Sequence, residues 1–194
     1  METLIGLLIG IGLSAACGLR VFIPMLGMSI AAISGYITPS HGFEWIGTWP
    51  ALIAFATATV LEIGAYYIPF IDHLMDVLIT PTAITAGIIL TASTLGDTSQ
   101  FLKWSLAIIA GGGVAAIVQG GTMAFRAAST VSTGGIANFL IASGELFGSI
   151  LLTIFAILIP ILCLFIVLLI CFLMIRMIVR SSFFIRLFRG STPE

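Results

Sequence analysis

Apolar residues along the chain come in long blocks separated by short polar stretches, with neither strand-like alternation nor a single helical stripe. Blocks of about twenty such residues match the length a helix needs to cross the hydrocarbon of a bilayer. About six spans follow from the punctuation. The first is expected from Leu4 to Ile33. It is interrupted by Gly18, Arg20 and Pro24, which predict a kink or break there. A polar loop from Ser34 to Trp49 follows, and Tyr36, Trp45 and Trp49 in it suit a headgroup-level aromatic belt. The second span runs from Pro50, a natural first helical residue, to Ile68, where Pro69 stops it. The third runs from an Asp72 N-cap to Ser93 and carries Pro81 inside it. Gly96 to Ser99 reads as a turn. The fourth span, Phe101 to Ala127, holds Gly111-Gly112-Gly113 and Gly120-Gly121, which let neighbouring backbones approach closely. Ser129 to Gly135 is a second polar connection. From Asn138 to Val179 the chain is apolar for about forty residues, too long for one span. Pro160 is the only evident divider, so two spans meeting in a tight turn are preferred over one kinked helix.

Composition agrees with this pattern. Of 194 residues, 60% are hydrophobic and 8% charged, with a mean hydropathy of +1.25. A soluble domain carries about 25% charged residues. The expected fold is therefore an all-α polytopic membrane bundle. Residues 1–180 form one transmembrane domain, and 181–194 a short basic tail. In that tail Phe183, Phe184, Leu187 and Phe188 interleave with Arg186 and Arg189, as in a helix lying on an anionic leaflet. The net charge of -1, with Lys103 the sole lysine, gives nothing for nucleic acid to bind. Cys17, Cys163 and Cys171 lie in apolar runs without metal-ligand spacing and read as small core residues. Met1-Glu2-Thr3 lacks the basic start of a cleaved signal, so the first span is expected to be retained. Arg176, Arg180, Arg186 and Arg189 place the C-terminus in the cytoplasm, with Arg126 near a connection on the same side. Six spans then put the N-terminus there too.

A weak internal echo links Gly10-Ile11-Gly12-Leu13-Ser14-Ala15 to Gly111-Gly112-Gly113-Val114-Ala115-Ala116. An arginine and then a glutamate follow each stretch: Arg20 and Glu62, Arg126 and Glu145. The echo suits two half-repeats, 1–95 and 101–180, inverted as in many transporters. Chance likeness between Gly/Ala-rich helices is the alternative.

Intramembrane charge is where the chemistry concentrates. Arg20 keeps its charge at any ordinary pH, and burying it in hydrocarbon costs at least about 2.5 kcal/mol. Glu62, Asp72, Asp76 and Glu145 are its candidate partners. Glu62, deep in the second span, reads as a proton-titrating or cation-coordinating group, or else as a structural partner of Arg20. Asp72 and Asp76, one helical turn apart, share a face and with Glu62 make a candidate metal site. The competing reading is a cap and an ion pair. Glu145 pairs naturally with Arg126 or Arg20. Thr80, Thr82, Thr85 and Thr91 either bond their own backbone or line a wet path. No Ser-His-Asp set, phosphate loop, dinucleotide fingerprint or zinc motif is present, so no cofactor is expected.

In Gly12-Leu13-Ser14-Ala15-Ala16-Cys17-Gly18-Leu19-Arg20-Val21-Phe22-Ile23-Pro24 the chain resembles an uncharacterised bacterial membrane family, domain of unknown function 4126. The likeness continues in Gly42-Phe43-Glu44-Trp45-Ile46-Gly47, Leu61-Glu62 and Ile71-Asp72-His73-Leu74-Met75-Asp76. Ala65-Tyr66-Tyr67 departs from the Ala-Asp-Lys-like run expected before Pro69. The resemblance implies a helical protein of the bacterial inner membrane and supports Arg20, Glu62, Asp72 and Asp76 as residues to test, without supplying an activity. The expected function is a small homodimeric or higher-oligomeric transporter or channel. Its solute would be an ion or small charged molecule, coupled to protons through the buried carboxylates. The alternatives are a structural or assembly subunit with internally paired charges, and an embedded enzyme acting on a lipid phosphate.

Overall fold

A computed structural model describes the backbone of residues 2–66, 69–96, 98–134 and 137–189, and the side chains of 3–66, 79–96, 98–134 and 137–179. The regular structure of the described residues is all helical, with no strand. The helices are α1 (Glu2–Cys17), α2 (Phe22–Ile33), α3 (Trp49–Tyr66), α4 (Pro69–Thr94), α5 (Gln100–Leu106), α6 (Gly113–Thr133), α7 (Asn138–Leu158) and α8 (Pro160–Arg189). A 3-10 turn, Glu44–Gly47, precedes α3, and a π-helical turn, Ala107–Gly112, joins α5 to α6. Four stretches are long and apolar enough to cross a membrane: Trp49–Tyr66, Gln100–Thr133, Asn138–Leu158 and Pro160–Val179. The protein is an all-helical membrane bundle.

The first expected span is in fact a hairpin. α1 runs antiparallel to α4: Gly6 lies against Thr94, Gly10 against Thr91 and Ser14 against Gly87. It also runs antiparallel to α7, with Gly12 against Ala156 and Leu19 against Gly148. α2 runs parallel to α7, with Arg20 near Ser149 and Gly27 near Thr153 and Ile157. After α2 the chain is back beside the end of α4, where Ser40 N–H donates to Ser93 O at 2.7 Å and Ser40 Oγ to Ala92 O at 2.9 Å. α1 therefore descends for sixteen residues, about 24 Å at the usual rise, and α2 returns to the same end.

Neither α1 nor α2 crosses the bundle alone, and this changes the parity of everything after it. The start of α1 and the far end of α8 fall at opposite ends of the bundle, not at one end as six full spans would require. The two glycine stretches also run parallel to each other, since α1 and α5–α6 are both antiparallel to α4: Gly111 lies against Gly87 and Thr80 bonds Met123 at 3.2 Å. The expected inverted relation does not hold between them.

Other boundaries moved for local reasons. Pro69 opens α4 where it was expected only to close α3, because a proline loses nothing at the first helical position. Asp72 consequently sits within the first turn of α4 and is not its cap. α6 continues through the Ser/Thr connection to Thr133. There the hydroxyls bond back along the helix, Ser132 to Ala128 O at 2.9 Å and Thr133 to Ser129 O at 2.8 Å. Gly134, at φ +63°, supplies the left-handed stop. The apolar block after Asn138 divides at Pro160 as expected, with Ile159 the single residue between α7 and α8.

Small residues set the close packing at the centre. Ser14 Oγ donates to Gly87 O at 2.8 Å and meets Thr91 Oγ1 at 2.9 Å. A Cβ on Gly18 would stand 2.6 Å from Val118 Cβ, so the hairpin tip presses directly on α6.

Candidate functional site

The hairpin tip has open backbone groups, and the surrounding helices bond them. At the end of α1, Leu19 N–H (3.1 Å) and Arg20 N–H (2.9 Å) both donate to Ala16 O. Ser149 Oγ, on α7, donates to the same carbonyl at 3.1 Å and to Arg20 O at 3.5 Å. At the start of α2 no side chain of the helix itself caps the first N–H groups. Glu62, reaching across from α3, does so: Val21 N–H donates to Oε1 at 2.9 Å and Phe22 N–H to Oε2 at 3.1 Å. A carboxylate at a helix N-terminus satisfies orphan donors and complements the helix dipole. This explains an intramembrane glutamate without an ion pair. Among the described residues Glu62 forms none.

Arg20 turns instead to α7 and α3. Its side chain is 2% exposed. Nη2 donates to Ala142 O at 2.9 Å and lies 3.8 Å from Glu145 Oε2. The guanidinium stacks on the Tyr66 ring, 3.6 Å from its centre. The Arg126 guanidinium approaches the same ring at 4.3 Å. Arg126 also takes Glu145 in a two-pronged pair: Nε donates to Oε1 at 3.1 Å, and Nη2 bonds Oε2. Such forked pairs are the strongest of the charge-assisted hydrogen bonds. Arg20 Nε and Nη1 are buried and have no hydrogen-bond partner among the described residues. Leaving buried donors unbonded normally costs about 1–3 kcal/mol or more for a charged group.

Arg20, Glu62, Arg126 and Glu145 therefore form one cluster, with two arginines converging on one glutamate. It lies seven residues in from the neighbouring ends of α6 and α7, about 10 Å at the helical rise. Arg126 was expected near a connection and is instead a buried interior charge. Asp72 and Asp76 lie on α4, with side chains outside the described residues. No group of three His, Cys, Asp or Glu among the described residues is placed to hold a metal ion. Of the threonines, Thr91 bonds Ser14 in the buried packing, and Thr85 bonds back to Pro81 O at 2.8 Å.

Tyr66 and Ser149 were not anticipated as parts of the site. Helical spacing held a signal for both: each stands one turn beyond a glutamate, Glu62 or Glu145, on the same face. The broken hairpin that brings them to Arg20 has no such local signature.

A model of the family described as Domain of unknown function (DUF4126) matches residues 7–180. No curated protein and no solved structure matches the chain.

Proposed function

The chain belongs to the DUF4126 family, and on that premise we propose that it is a membrane transport protein, a channel or carrier for an anionic solute, organised around Arg20. One observation carries this reading. A permanently charged side chain, 2% exposed at the tip of a re-entrant helix pair, has two N–H-bearing atoms with no hydrogen-bond partner among the described residues. Transport proteins place discontinuous helices this way, with a helix N-terminus and loose backbone facing the solute inside the membrane. Ionisable groups inside a membrane mark solute pathways by default.

An anion fits better than a cation. Glu62 is engaged by the α2 backbone, and Glu145 is shared by two arginines. A cation would have to displace those bonds, whereas an anion meets donors already present. Glu62 and Glu145 are then the groups through which protons would couple to the solute. The protein is proposed to sit in the plasma membrane with the basic end of α8 in the cytoplasm. A bundle of this size encloses little interior, which favours a homo-oligomer.

The test is flux of chloride, phosphate and acetate in proteoliposomes of the purified protein. Wild-type protein should carry at least one of them, and Arg20→Gln should lose it. Removing a charge-assisted bond of about 1.5–3 kcal/mol corresponds to roughly tenfold to hundredfold weaker binding. Absence of anion flux from folded wild-type protein would sink the proposal. The bidentate Arg126–Glu145 pair favours a second reading, a structural or assembly subunit. On that reading Arg20→Gln lowers thermal stability and no flux exists to be lost.

A further inference from the structure

The first turn of α2 is held from outside by a single carboxylate. The first four N–H groups of a helix find no partner within it. In α2 these positions are Val21, Phe22, Ile23 and Pro24, and proline has no N–H to satisfy. Buried Glu62 of α3 takes Val21 N–H on Oε1 at 2.9 Å and Phe22 N–H on Oε2 at 3.1 Å. The end of α1 is fastened separately. There Ser149 Oγ bonds Ala16 O, and Gly18 lies against Val118 and Ala115 of α6.

We infer that Glu62 is a proton-operated latch on the re-entrant tip: its carboxylate holds the first turn of α2, and protonation lets that turn go. The latch rests on the transport reading for its use, as regulation of the Arg20 site, and not for its chemistry. An ionised carboxylate accepts on both oxygens and complements the positive end of the helix dipole. A proton taken from water forms an O–H bond on one oxygen. That oxygen then presents a donor to the N–H it faced, and their hydrogen bond breaks. One N–H loses its acceptor and the helix end loses its counter-charge. Arg20 directly precedes Val21, so its backbone shares in the release. Arg20 at the tip and Glu145 on α7 act on Glu62 through space, and the Cys17 thiol of α1 lies within reach of its charge. Tyr66 stands one turn along α3, with the Arg126 guanidinium over its ring. α2 itself carries no titratable group, and Glu44, in the 3-10 turn, belongs to the opposite end of α3. On α4, the side chains of Asp72, His73 and Asp76 lie outside the described residues. Among the described residues, Glu62 alone of these groups accepts from the α2 N–H groups.

The isotope-labelled full chain is titrated by NMR in lipid nanodiscs. The Val21 and Phe22 amide resonances should shift with the midpoint of the Glu62 carboxyl carbon. Their protection against hydrogen exchange, relative to the intrinsic rate at each pH, should fall about tenfold to hundredfold as pH drops through that midpoint, the effect of losing one charge-assisted bond. Leu19 and Arg20 N–H, which bond Ala16 O at the end of α1, should keep their protection. Cys17→Ser should leave the coupling in place. Glu62→Gln should abolish the titration and hold the low protection at every pH. A Glu62 carboxyl that keeps one protonation state wherever the chain is folded would overturn the latch. So would Val21 and Phe22 amides that ignore its midpoint, and both results are read on wild-type protein should the variant misfold. Equal loss at Leu19 and Arg20 would make the change a loosening of the whole hairpin and overturn the latch too. Anion flux with an unresponsive tip would remove the latch and leave the transport reading standing. A responsive tip in folded protein without anion flux would support the latch and end the transport reading.

Discussion

Arg20 keeps its charge inside the bundle because three kinds of group share its guanidinium: the Ala142 carbonyl, the Glu145 carboxylate and the face of Tyr66. Glu145 is the carboxylate on which both arginines converge. Glu145→Gln should destabilise the protein by about 3–5 kcal/mol, the usual cost of removing one partner of a buried ion pair. Chemical denaturation in micelles measures this. A double-mutant cycle with Arg126→Gln should show strong coupling, and additive losses would mean the pair is not the support it looks to be. Glu62 behaves as a cap. Glu62→Ala should cost about 0.5–2 kcal/mol, and Glu62→Gln less, since an amide oxygen still accepts from one of the two N–H groups. A titration belongs to Glu44, in the loop before α3. Its carboxylate is held below the ordinary glutamate range chiefly by its own backbone N–H, with Gly42 N–H donating at 2.8 Å. The charged form is thus the bonded one. Its contribution is present above the unfolded value of about 4.3 and is lost as pH falls through the lower folded value. Carbon NMR of Glu44 should give a midpoint below that of the same glutamate in a denatured chain.

At the scale of elements, the sequence marked where helices fail but not what the chain does next. Gly18, Arg20 and Pro24 announced a break, and a break is present. Whether the chain continued across the membrane or turned back depended on Glu62 of α3 and Ser149 of α7, far away in sequence, bonding the open backbone groups of the buried tip. Pro160 was readable because a proline after one irregular residue can end one helix and start another. The Ser/Thr stretch before Gly134 misled, since hydroxyls that suit a loop equally satisfy helix carbonyls. The hairpin also needs its glycine. The Cβ of Gly18→Val would stand 2.6 Å from Val118 Cβ and 2.8 Å from Ala115 O, both on α6. A loss of about 1–3 kcal/mol is expected from overpacking, together with loss of any anion flux. Wild-type flux from Gly18→Val protein would show that the tip need not sit against α6.

For the whole molecule, the re-entrant pair fixes which ends lie together. Single cysteines at Thr3, Gly42 and Thr98, in a background lacking the natural three, should all react with an impermeant maleimide from one side of the membrane. A cysteine at Gly134 should react only from the other. Labelling of Thr3 and Gly134 positions from the same side would restore a first helix that crosses fully. The sequence alone determined the class of solvent, the helical fold, most span limits and the residues whose charge has no place in hydrocarbon. Those follow from composition and local spacing, since each helix must satisfy its own backbone in lipid. Only the tertiary structure decided that Arg20 faces Glu145 and not Glu62, that Arg126 shares the same carboxylate, and that the first apolar block turns back on itself. Each depends on which helices lie side by side, and in a bundle where nearly every face is apolar, hydrophobic pattern carries little information about neighbours.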